Sequence, residues 1–98
     1  MNITTTKNAD ALTLALEGRL DTMTAPELEQ TLKAELDGVT ALTFDLKDLE
    51  YISSAGLRVL LSAQKTMNTQ GTMKVTNVND TIAEVFEITG FSDILTIE

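Results

Sequence analysis

A chain of 98 residues holds one independently folding core, and 43% hydrophobic against 22% charged residues is globular rather than disordered composition. There is no Cys and no His, which excludes disulfide staples, thiolate metal sites, Cys–His and Ser–His–Asp nucleophile systems and most zinc chemistry. Seven basic and fifteen acidic residues give a formal net charge of −8, a balance that repels nucleic acid and anionic lipid surfaces.

Ile3 to Thr6 and Ala11 to Leu16 read as two short strands joined by Lys7-Asn8-Ala9-Asp10. Leu12, Leu14 and Leu16 alternate with Thr13 and Ala15, which buries the three leucines on one face; Gly18 then breaks the strand, leaving Gly18 to Thr22 as a loop. Thr24-Ala25-Pro26-Glu27 has the form of a capping box, with Pro26 harmless in the first turn and Met23 placed to staple onto Leu28. Leu28, Leu32 and Leu36 form the apolar stripe of the helix that follows, and Gly38 ends it in a left-handed turn.

Ala41 to Leu46 is a third strand with Leu42, Phe44 and Leu46 on one face and Asp45 near its end, and Lys47 to Ser54 connect it to a second helix. From Gly56 to Asn68 the apolar residues span an arc of roughly 200°, wider than the ~100° stripe that covers one sheet face. Leu57 and Leu61, at its edge, are therefore expected either to remain partly exposed or to be covered by another helix. Thr72 to Thr76 is a fourth strand, and Asn77 to Asp80 cap a third helix carrying Ile82, Val85 and Phe86. Gly90-Phe91 ends that helix in a Schellman turn, and Ser92 to Glu98 reads equally as a short helix or a final strand. The order ββαβαβα is that of an α/β sheet largely covered by helices.

The most informative stretch is Tyr51-Ile52-Ser53-Ser54-Ala55-Gly56-Leu57, a strand-to-helix junction with two adjacent hydroxyls at the cap. Its serines fit two roles, a cap for a free helix amide or an acceptor of a regulatory phosphate. No Walker loop and no nucleophile elbow is present. Asp45, Asp48 and Glu50 have the oxygen donors for a hard cation, but a solvated loop is the expected state of such a trio. Arg58 either meets a partner carboxylate or decorates the polar face of its helix. No catalytic residue, cofactor or metal site is expected.

Across residues 2 to 98 the chain resembles the STAS family, specifically the bacterial anti-sigma factor antagonists. The resemblance rests on Gly18-Arg19-Leu20-Asp21, Phe44-Asp45-Leu46 with Leu49, the Tyr51 to Leu57 stretch, Gly71, and Phe86 with Thr89-Gly90-Phe91. It implies a single STAS domain over 1–98, with a four- to five-stranded mixed sheet and helices packed on one side. It implies a non-enzymatic protein that binds a serine-kinase-type anti-sigma factor and so releases a sigma factor. Phosphorylation by that kinase would eject the antagonist, and a serine phosphatase would restore it. Ser54 matches the first hydroxyl of the family's Asp-Ser-Ser/Thr-Gly motif, Ala55 stands in place of the second, and Ser53 replaces the aspartate, so Ser54 is the expected acceptor and Ser53 the second choice. Asp21 matches the family's loop aspartate, with capping of its own turn as its other reading. The expected docking residues are Asp21, Ser53, Ser54, Gly56, Leu57, Arg58 and Leu61. The alternative is an adaptor subunit of a transport or other signalling complex that has no phosphorylation cycle. With no apolar run long enough to span a membrane and no leader pattern at Met1 to Lys7, a cytoplasmic protein, monomeric when free, is expected.

Overall fold

Alternation of apolar and small polar residues builds a sheet with one face for the core. In the computed structural model, which describes residues 1–98, the strands are β1 (Asn2–Asn8), β2 (Ala11–Leu20), β3 (Ala41–Ile52) and β4 (Thr72–Thr76). The helices are α1 (Ala25–Glu35), α2 (Ser54–Gln70) and α3 (Asp80–Thr89). The sheet order is β1-β2-β3-β4, antiparallel between β1 and β2 and parallel across the other two pairs. Register aligns Leu14, Phe44 and Val75 in one row and Leu12, Leu42 and Met73 in the next, all buried beneath the helices. Residues between them, such as Thr13, Ala15, Thr43 and Asp45, point to the opposite face and are half-buried. The helices add Leu28, Leu32, Val59, Leu60, Met67, Ile82 and Phe86 to the same continuous core.

The strands run further than their alternation suggests. The hairpin turn is only Ala9-Asp10, so β1 and β2 pair from Asn2–Glu17 to Asn8–Ala11. Gly18 does not end β2; it lies within the strand at a register shift, with a φ of +99° that a side-chain-bearing residue rarely adopts. β3 likewise continues past Leu46 to Ile52, taking in most of the expected connection, and Asp45 is mid-strand rather than near the end. The cause lies in two irregularities, at each of which β3 accommodates one more residue than β2. Burial then falls on Leu46, Leu49 and Ile52, a spacing of three that hides the strand from a period-two reading.

At the other end of the chain, Asn79 caps α3 by accepting from the Ile82 amide at 2.9 Å, and Gly90 closes the helix in the left-handed region. Both readings of the last residues hold in part. A 3-10 turn covers Phe91–Asp93, and Ile97 then forms a single parallel bridge to Val75.

Candidate functional site

Because β2 and β3 are parallel, their carboxyl ends lie side by side, with Leu20 in register with Ile52. The next residues, Asp21 and Ser53, start the turn into α1 and the cap of α2, and the Ser53 amide donates to the Leu20 carbonyl at 2.9 Å. The carboxyl ends of these two central strands thus bring the Arg19–Thr24 turn against the start of α2, where ligands of open α/β sheets collect.

The two serines divide their roles. Ser53 is the N-cap, its Oγ accepting from the Gly56 amide at 3.5 Å, while Ser54 is the first helical residue and exposed. Gly56 allows α2 to sit this close to the sheet. A Cβ there would come within 2.6 Å of Leu20 Cγ and 2.9 Å of Ile52 Cγ1. The first turn of α2 is thereby clamped while Ser54 faces outward.

Asp21 organises the facing turn. Its Oδ1 accepts from the amides of Met23 at 3.0 Å and Thr24 at 3.2 Å, and Arg19 Nε stands 3.8 Å from its Oδ2. Partial burial opposes its charge. That is outweighed by the Thr24 and Met23 amides, the Thr24 hydroxyl and the Arg19 guanidinium, which hold the carboxyl below its usual value. Thr24 does not form the expected capping box. Its hydroxyl accepts from the Asp21 amide at 2.9 Å and donates to the Arg19 carbonyl at 2.8 Å, closing the turn upstream of α1 instead. Met23 does not staple onto Leu28 either; it is 86% exposed at the tip of the turn.

Of the other expected docking residues, Arg58 is exposed and Leu61 half-buried, both on α2. Leu57 is buried in the core at 5% exposure, so the edge of the wide apolar arc falls at Leu61 and not at Leu57; Gly56, also buried, offers a partner no surface of its own. A groove between α1 and α2 is lined by Thr22, Pro26, Glu29, Ala55, Arg58 and Ser62. Residue patterning missed Tyr51 as part of this surface. It is 39% exposed and lies under Arg19, whose guanidinium carbon is 4.3 Å from the ring centroid. That pairing follows from the Arg19–Tyr51 register, which the irregular strand ends conceal.

Asp45 lies well up-strand from this junction, accepting from the Lys47 amide at 3.1 Å and the Asn77 side-chain amide at 3.0 Å. Asp48 and Glu50 are exposed, and no three acidic side chains converge on one point. The Asp21 carboxyl is held below its usual value, and such a carboxylate is a poor proton acceptor. What the junction presents is a neutral hydroxyl, two arginines and a partly apolar groove, a surface suited to contact with another protein.

A four-stranded mixed sheet covered by three helices, with a strand-to-helix junction at the carboxyl ends of its two central strands, defines a class of small α/β domains. The STAS domain family model matches residues 2–98, and the chain belongs to that family. BtrV of Bordetella bronchiseptica, named for anti-sigma factor antagonism, is 38% identical over 99% of this chain and 85% of its own length. The anti-sigma-B factor antagonist of Bacillus subtilis is 30% identical, with coverage of 99% and 90%. Among solved structures, the anti-sigma factor antagonist SpoIIAA in its unphosphorylated form superposes with a TM-score of 0.86 at 16% identity, covering 99% of this chain and 88% of that one, which shows the shared fold. The four-stranded mixed sheet with three helices is thus the STAS fold, at the lower of the two strand numbers expected.

Proposed function

We propose that this chain is an anti-sigma factor antagonist that docks a serine-kinase-type anti-sigma factor through the Arg19–Thr24 turn and the first turns of α2, and that phosphorylation of Ser54 reverses the docking. The observation that carries this reading is the division of labour between the serines: Ser53 satisfies the helix, so Ser54 is exposed and free to be modified. The names of the Bordetella and Bacillus relatives support the class of partner.

Unmodified Ser54 is small and neutral, and a partner can close over it. In the modification, the bond between the terminal phosphorus and the leaving diphosphate of the kinase's nucleoside triphosphate breaks. A bond from Ser54 Oγ to that phosphorus forms, and the hydroxyl proton passes to a base on the kinase. The product carries an added charge of about −1.5 to −2 in the middle of the contact. A loss of ~3 kcal/mol of interface energy weakens binding more than a hundredfold, which is enough for release.

Titration calorimetry against the cognate anti-sigma factor tests the reading. Ser54→Ala is expected to bind within about threefold of the unsubstituted chain, and Ser54→Asp, with a single negative charge, at least ~tenfold more weakly, or ~1.4 kcal/mol. Equal affinities for the two variants would remove Ser54 from the contact and with it the switch.

A further inference from the structure

We propose that a phosphate on Ser54 is captured within the chain by Arg58, which thereby acts as a positioning residue of the modified state. The inference rests on the reading of Ser54 as the phosphate acceptor and names what that phosphate then does. Ser54 is the first residue of α2 and Arg58 lies four residues on, so the two share one helical face with Cβ atoms about 5–6 Å apart. Both are exposed. An acidic group N-terminal to a basic one at this spacing is the favourable orientation, and a guanidinium presents its paired donors to phosphate oxygens in a matching plane.

The charges around the junction favour Arg58 over the other arginine. Arg19 is engaged by Asp21 and by the Tyr51 ring, whereas Arg58 takes part in none of the chain's ion pairs. Two carboxylates are near. Asp21 is turned onto its own amides, and Glu29 of α1, which lines a groove with Arg58, is paired with Lys33 at 3.3 Å. A phosphate, with about twice the charge of Glu29 and on Arg58's own helix, is the stronger competitor for the guanidinium. Phosphorylation then changes the docking face twice: it adds an anion at Ser54, and it withdraws Arg58 from whatever carboxylate the partner offers.

The test needs no kinase and no partner. Phosphoserine is placed at position 54 by chemical ligation of the full chain, and the phosphate is titrated by phosphorus NMR. Pairing with Arg58 favours the dianion, so the titration midpoint is expected to lie at least ~0.5 pH unit lower in the phosphorylated chain than in the same chain carrying Arg58→Gln. Arg58→Lys is expected to restore part of the difference, and Arg19→Gln to change it little. Equal midpoints with Arg58 and with Arg58→Gln overturn the inference. So does a midpoint that responds to Arg19→Gln alone, which would place the phosphate against the loop. A failure of any kinase to modify Ser54 would instead sink the functional reading and leave these midpoints as measured.

Discussion

The surroundings of Asp21 favour its charge, with two amides on Oδ1 and the Arg19 guanidinium beside Oδ2. Its pKa is lower folded than unfolded, so the ionised form stabilises the turn. That contribution is complete above the unfolded value of about 3.9 and disappears as pH falls through the lowered folded one. Asp21→Asn preserves the shape of the turn and its acceptor oxygen but not the charge. Urea unfolding is expected to show the native chain more stable than Asp21→Asn at neutral pH, with the gap narrowing below about pH 3.9. A gap of constant size across that range would mean that the charge contributes nothing to the fold. The same residue has the geometry of a turn cap, and whatever it offers a partner is offered by a carboxylate already bound to amides.

At the scale of the helix, the two serines at the start of α2 have separable effects. Ser53→Ala removes the acceptor for the Gly56 amide; because that bond is long at 3.5 Å, the loss belongs at the low end of cap substitutions, about 0.5–1 kcal/mol. Ser54→Ala removes an exposed hydroxyl and is expected to change unfolding free energy by less than ~0.5 kcal/mol. Chemical denaturation of both variants checks the assignment, and a larger loss from Ser54→Ala would reverse it. The pair of hydroxyls was legible in the sequence because a cap must precede an apolar run, and α2, β4 and α3 were legible for the same kind of local reason. The strand ends were not. Leu46, Leu49 and Ile52 are buried at intervals of three because β3 holds extra residues against β2, and that mismatch is a property of the pair that neither strand shows alone. Thr24 misled similarly. Its spacing to Glu27 is that of a capping box, yet its hydroxyl accepts from the Asp21 amide and donates to the Arg19 carbonyl, a competition among neighbouring backbone groups that spacing does not encode. With the strand ends misplaced, the stacking of Arg19 on Tyr51 was hidden too.

Across the whole molecule, the strand-to-helix junction and α3 share one core. Phe86 of α3 is fully buried in the same cluster as Leu20 and Ile52, the last residues of the strands that lead into the junction. Phe86→Ala is expected to cost about 3–5 kcal/mol, a large part of the ~5–15 kcal/mol that holds a domain of this size together. A single shared core predicts that this loss is felt everywhere at once. The chain has one Tyr and no Trp, and Tyr51 stands at the junction under Arg19, so its fluorescence reports the junction while far-ultraviolet circular dichroism reports all the helices. In urea, both signals are expected to move to lower denaturant by the same amount in Phe86→Ala and to remain superimposable. If the dichroism transition moves and the Tyr51 transition stays, α3 melts as a separate unit and the junction is held by β2, β3 and α2 alone. Coincidence would instead mean that exposure of Ser54 depends on packing throughout the chain, so substitutions far from the junction would lower binding only by lowering the folded population.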